Sequence, residues 1–189
     1  DDTTEYRQDI TITYAGSTEL RDYELELNID NTTVNETFDW SNGYDSMRFT
    51  YYNATDVSQT NLSYWIQSYN ESAQTATVWV NVTLIPNSTT DIGLGNGTAM
   101  IVMYYGNSAA TYAGNASEVF ELYVNFNEST IFDQTGTQDG AGGLPTYAEV
   151  IDERSARIGG NAWKYVVKDY NITGDGSQIL EFDFKDDST

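Results

Sequence analysis

Apolar and polar side chains alternate with a period of two through much of this chain, and no other feature restricts its possible folds so strongly. Tyr6, Gln8, Ile10, Ile12 and Tyr14 fall on one side of a segment whose other side carries Arg7, Asp9, Thr11 and Thr13. Tyr23, Leu25, Leu27 and Ile29 alternate in the same way with Glu24, Glu26 and Asn28. In an extended strand, successive side chains point to opposite faces, so each segment predicts a strand with one buried and one solvated face, as in antiparallel sheets. Further strands are predicted at Met47–Tyr51, Leu62–Ile66, Thr75–Leu84, Ala99–Tyr105 and Val119–Phe126. Ala99–Tyr105 is apolar on both faces, which predicts a central position in its sheet.

Turn-forming clusters, Ser41-Asn42-Gly43, Gly95-Asn96-Gly97 and Ala113-Gly114-Asn115, separate these runs at the short spacing of a sandwich. The best helical candidate is the short stretch Tyr147–Arg157. The expectation is therefore an all-β protein, an antiparallel β-sandwich of immunoglobulin-like or jelly-roll-like type with a short C-terminal β segment. Residues 1–127 form the sandwich module. Residues 128–150 form a Gly-rich linker that includes the exposed stretch Asp133–Pro145. Residues 151–189, with strands at Ala162–Val167 and Ile179–Phe184, are too short to enclose a core alone.

A chain of this kind needs a means of stabilisation, and several are excluded. It contains no Cys and no His, so disulfides, thiolate nucleophiles, the usual zinc sites and imidazole acid–base chemistry are absent. Packing and hydrogen bonds must hold it together. There are 29 Asp and Glu against 8 Lys and Arg, a formal net charge of −21, with the three Lys at Lys164, Lys168 and Lys185. Nucleic acid is excluded as a partner, because phosphate is bound by clustered cations that this chain lacks. The self-repulsion of such a surface is screened within about 3 Å at 1 M salt, which points to a salt-loving host, against the plainer reading of an ordinary acidic secreted protein. No apolar run approaches the ~20 residues that span a bilayer. The polar opening at Asp1 is read as the start of a mature, processed chain.

Eleven of the 16 Asn stand in N-x-S/T: Asn31, Asn35, Asn53, Asn61, Asn70, Asn81, Asn87, Asn96, Asn115, Asn127 and Asn171. Ser and Thr are about a fifth of the residues, so composition alone would place roughly three there. This excess implies passage through a glycosylation pathway and an extracellular, glycan-coated surface. With the acidic composition and the missing Cys it points to an archaeal envelope.

The series Tyr6-Arg7, Ile10-Thr11-Ile12, Asp22-Tyr23, Met47-Arg48-Phe49, Tyr64-Trp65-Ile66, Trp79-Val80 and Tyr104-Tyr105-Gly106-Asn107 resembles a secreted domain family of unknown function found in archaeal and bacterial surface proteins. That family repeats the pattern R-F, Y-W-I-E, W-V-x-V and Y-Y-G-N. The likeness spans residues 5 to about 126 and keeps order and spacing. Gln67 stands where the family often has Glu, and Leu122-Tyr123 with Val124-Asn125 replaces an acidic pair. The tail, Gly160–Lys164 with Leu180–Phe184, is similar to the opening strands of a carbohydrate-binding-like sandwich whose second half is absent. The resemblance implies an extracellular β-sandwich and supplies no catalytic residues.

Chemistry other than glycosylation finds little support in the residues. Carboxylates are so numerous that a glycosidase-like pair cannot be singled out, and the chain is expected not to be an enzyme, with no cofactor. Asp175 and Asp186-Asp187 offer oxygen ligands that suit calcium, but neither stretch follows an EF-hand or similar loop spacing, and solvated turns are the expected explanation. Trp40, Trp65, Trp79 and Trp163 suit either a sugar-stacking platform or the core, and the core is expected for Trp65 and Trp163. Three functions follow: a structural subunit of a surface filament, sheath or surface layer, with itself as partner; an adhesin or glycan-binding module of a larger surface protein; and, weakest of the three, an extracellular hydrolase. Assembly by strand donation would use Tyr6, Ile10, Ile12 and Tyr14 at one end, or Leu180, Phe182 and Phe184 at the other, unless these strands pair within their own subunit.

Overall fold

The computed structural model describes residues 6–34, 38–120 and 123, together with the backbone of four later strands. The chain divides into two compact units at Tyr123/Val124. In the first, β1 (Tyr6–Thr13), β3 (Arg48–Asn53), β4 (Ser58–Asn61) and β7 (Thr98–Tyr105) form one sheet in the order β1-β7-β3-β4. A second sheet holds β2 (Leu20–Asp30), β5 (Tyr64–Asn70) and β6 (Thr75–Ile85) in the order β2-β6-β5. Every pairing is antiparallel, so the predicted all-β antiparallel sandwich is what forms.

The burial of β6 explains how the two sheets stay together. Its inward residues Ala76, Val78, Val80, Val82 and Ile85 are buried, and they share one apolar cluster with Phe49, Ala99, Ile101, Met103 and Tyr105 of the facing sheet. Branched side chains suit this position because their restricted rotamers lose little freedom on a pleated surface. The doubly apolar β7 lies between β1 and β3, as its composition predicts, and Ile101 and Val102, on opposite faces, are both fully buried.

The outer strands follow the predicted alternation with one exception. Along β1, even-numbered residues are half-buried and odd-numbered ones exposed; on β2, Leu25, Leu27 and Ile29 turn inward. Tyr23 does not, remaining 43% exposed beside Asp22, whose φ of 48° interrupts the extended backbone.

Three expectations are corrected. Val119–Phe126 does not begin as a strand: α2 (Ala116–Val119) is a single helical turn, because the Asn115 side chain accepts from the Ser117 amide and caps it. A second turn, α1 (Gly43–Ser46), had no sequence signal beyond its glycine. The helical candidate Tyr147–Arg157 is instead a hairpin of β9 (Tyr147–Asp152) and β10 (Ser155–Gly159), with a register shift at Ser155/Ala156. Eleven residues make at best a marginal helix, and Tyr147, Val150 and Ile151 suit a strand that gains its hydrogen bonds by pairing. Finally, the expected connector contains β8 (Gln134–Thr137), which pairs with β11 (Ala162–Tyr165). The predicted strand Ile179–Phe184 lies outside the described residues.

The Tyr51 hydroxyl is enclosed without a hydrogen-bond partner among the described residues, and its burial raises its pKa. Ile101→Ala is expected to lower unfolding free energy in urea by about 2–5 kcal/mol through cavity formation. Tyr51→Phe should leave it unchanged or raise it by about 1 kcal/mol, since it removes an unsatisfied polar atom. A large loss in the phenylalanine variant would show that the hydroxyl has a partner.

Candidate functional site

Arg48 of R-F, Tyr64 of Y-W-I and Gly106 of Y-Y-G-N meet at one end of the sandwich. Arg48, opposite Tyr104 across β3 and β7, donates from Nη1 to the carbonyls of Asp45 (3.0 Å) and Met47 (2.6 Å) and to the Tyr64 hydroxyl (3.1 Å). Its Nη2 donates to the Thr111 carbonyl at 2.6 Å. One half-buried guanidinium thus fastens α1, β5 and the loop after β7, using its fixed fork of donors where a flexible lysine would reach fewer acceptors. The Asp45 carboxylate accepts from the Tyr112 amide, and the Ser46 hydroxyl accepts from the Gly106 amide. Gly106, in the Y-Y-G-N motif, has a φ of 93°, a conformation that favours glycine.

An aromatic network fills this end. Phe38, Trp40, Tyr69, Tyr44, Tyr112 and Tyr64 follow one another with centroids 4.4–6.1 Å apart, and Tyr105 stacks on Tyr6. Tyr69 donates to the Trp40 carbonyl at 2.6 Å, and the Tyr112 oxygen accepts from the Ile66 amide at 3.1 Å. A crevice of about 50 Å³ between Phe38, Gly43, Ser46 and Gly106 holds no more than a water or two. Among the described residues, no group of three or more Asp and Glu is placed to hold a metal ion, and no helix is long and apolar enough to cross a membrane. Asp175, Asp186 and Asp187 lie outside the described residues.

A second aromatic group lies on the outer face of the β2-β6-β5 sheet. Trp65 and Trp79 are directly opposite each other on β5 and β6, and Phe120 and Tyr123 pack edge-on against them at 5.2–5.8 Å. Trp65 is therefore half-buried on this face and not in the core, because its neighbours Tyr64 and Ile66 take the inward positions; among the described residues Trp40 is the tryptophan in the core. Gln67 accepts from Trp79 Nε1 at 2.8 Å, so an amide oxygen fills the acceptor role a glutamate would take. Trp163 is on β11, whose side chains are not described.

The acceptor asparagines are distributed over the surface. Asn31, Asn61, Asn70, Asn96 and Asn115 are exposed; Asn53, Asn81 and Asn87 are half-buried; none of these eight is buried. Asn35, Asn127 and Asn171 lie outside the described residues. At Asn53, Asn87 and Asn115 the side-chain oxygen accepts the backbone N–H of the Thr or Ser two residues on, closing an Asx turn that leaves Nδ2 outside it. Gly97 between Asn96 and Thr98 has a φ of 67° and a Cβ there would meet the Tyr14 carbonyl, so only glycine fits that turn. At three acceptors Nδ2 is itself a donor: Asn31 to Gln74 Oε1 at 3.3 Å, Asn115 to Glu118 Oε1 at 3.2 Å, and Asn81 to the Val119 carbonyl at 3.3 Å, the last anchoring the segment that crosses the outer sheet face. The strand-donation residues Tyr6, Ile10, Ile12 and Tyr14 pack against this chain's own core, on or beside a β1 paired with β7. Leu180, Phe182 and Phe184 lie outside the described residues.

A two-sheet antiparallel sandwich with three of its motifs gathered at one end is the class that fold and site define. The family described as "Domain of unknown function (DUF2341)" matches residues 43–139, and the chain belongs to that family. The match takes in Arg48-Phe49, Tyr64-Trp65-Ile66, Trp79-Val80 and Tyr104–Asn107, and starts after β1 and β2. No curated protein and no solved structure matches the chain.

Burial raises Tyr69 and Tyr112 to about 12, with the charges of Asp39 and Glu71 adding to the effect at Tyr69. A folded pKa above the ordinary value of about 10 means that the neutral phenols stabilise the fold fully below pH 10 and lose that contribution as pH rises through 12. The thermal midpoint should hold up to about pH 10 and fall from there to pH 12, less steeply in Tyr69→Phe. A midpoint unchanged up to pH 12 would contradict this placement of the phenols.

Proposed function

We propose that this chain is an extracellular, N-glycosylated structural subunit of a cell-surface filament, sheath or surface layer, assembled through pairing of strands between subunits. The observation that carries the reading is the placement of the eight described acceptor asparagines, every one of which reaches the surface at a turn, a strand end or an outer sheet face. Clustered burial of those side chains would have made the sequon excess an accident of composition. Glycan and charge work together here. A surface with a net charge of −21 resists close approach of a second copy unless salt screens it, so the assembly belongs to a salt-rich exterior, as on an archaeal envelope.

The outer-face group Trp65, Trp79, Phe120 and Tyr123 favours a second reading, an adhesin or glycan-binding module, because aromatic faces stack on sugar rings and Gln67 and Glu26 stand exposed beside them. The likeness of the tail to a carbohydrate-binding sandwich supports the same alternative. Negative-stain microscopy of the material recovered from its native surface in molar salt separates the two. Regular polymers or sheets are expected. Dispersed single particles that bind polysaccharide, and lose that binding in Trp79→Ala, would replace the first reading with the second.

A further inference from the structure

The two sheets expose four edge strands, and natural sheets protect such edges because unpaired N–H and C=O groups recruit other strands. Three of the four are protected. On β2, Asp22 breaks the extended backbone with its φ of 48°, Glu24 and Glu26 are exposed, and the acceptor Asn31 follows the strand end. On β5, the register shifts between Ile66 and Ser68, the Ile66 amide donates to the Tyr112 hydroxyl, the Tyr64 carbonyl accepts from the Asn115 amide, and the strand ends on the acceptor Asn70. The β4 strand is only four residues long and ends on the exposed acceptor Asn61.

The edge of β1 has none of these protections. It runs for eight residues in unbroken register with β7, and contains no Pro, no Lys, no positive φ and no acceptor asparagine. Its only charges, Arg7 and Asp9, sit two residues apart on the exposed face and neutralise each other through paired contacts of 2.6 and 3.1 Å. In a chain of net charge −21 this is an electrically neutral, uninterrupted edge. Within the first unit no described strand pairs with β1 on that side.

We propose that the β1 edge is where two copies of this chain pair, antiparallel about a two-fold axis at Gln8, so that Arg7 of each copy faces Asp9 of the other. Because strand side chains alternate with a period of two, only registers that pair odd with odd residues keep the apolar set inward. A register shifted by two residues one way sets Asp9 against Asp9, and the other way sets Arg7 against Arg7, both unfavourable for directly opposed residues. The register centred on Gln8 instead places each charge opposite its complement and sets half-buried Tyr6 across from Ile10 on the inner face. An isologous contact of this kind joins two subunits and leaves every other surface for further assembly. The inference rests on the reading of the chain as an assembling subunit, and identifies one contact within it.

Sedimentation velocity of the full chain over a concentration series tests it, with circular dichroism as the check on folding; Arg7 and Asp9 are exposed, so the fold should survive their replacement. The wild type is expected to dimerise. Arg7→Asp, which sets Asp against Asp across the contact, should weaken the dimer at least about tenfold, and the exchanged pair R7D/D9R should recover it. A monomeric wild type, a dimer indifferent to Arg7→Asp, or a loss that R7D/D9R does not recover would each overturn the proposal. Polymers in the native material alongside any of these results would leave the subunit reading in place and move the contact elsewhere.

Discussion

The packing of β6 against β7 and β3 is the interaction on which the rest of this protein depends. With no disulfide available, the apolar layer built by Val78, Val80 and Val82 on one side and Phe49, Ile101 and Met103 on the other holds the two sheets face to face. Each such side chain contributes about 1.5–3 kcal/mol when fully buried, and the six named here are at most 2% exposed. The surface charge works in the opposite direction, so the layer has to be well packed before the outer strands can take the form they do. Once it is, β2 and β1 have only to cover one face each.

This layer also separates two roles that the sequence runs together. The R-F, Y-W-I and Y-Y-G-N motifs supply the fastening at one end, where Arg48 ties α1, β5 and the loop after β7 into a single network. Those side chains are engaged with carbonyls and hydroxyls of their own chain. The acceptor asparagines, by contrast, lie at turns, strand ends and outward faces. Family membership is therefore carried by residues that build the scaffold, and the proposed function by residues scattered over its exterior. Under that proposal the scaffold displays the glycan and orients the bare β1 edge.

The strands were legible because alternation reports directly on which face is buried: β1, β2, β6 and β7 all appear within a few residues of their predicted bounds. The central place of β7 could be read from its doubly apolar composition. What escaped was decided by short-range hydrogen bonds or by the course of the chain. Asn115 reads as a sequon and also caps α2, and the capping turns the start of an apparently alternating run into a helical turn. Trp65 reads as core by residue type, yet its position between two inward neighbours sends it outward. The Val150 region has too few residues to distinguish a helix from a strand by period, and its pairing partner decided it. Of the site, the positions of the acceptors were available from N-x-S/T alone. The fastening role of Arg48 was not, because its acceptors are backbone carbonyls that carry no sequence signature. The protection of three sheet edges and the exposure of the fourth required the topology.

The proposed function requires a glycosylated exterior, and the change in intact mass of the natively produced protein on chemical deglycosylation measures this most directly. The expected result is a fall in intact mass on chemical deglycosylation, with modified peptides that include Asn31, Asn61 and Asn70 beside the protected edges. An intact mass unchanged by deglycosylation, with those peptides unmodified, would contradict it.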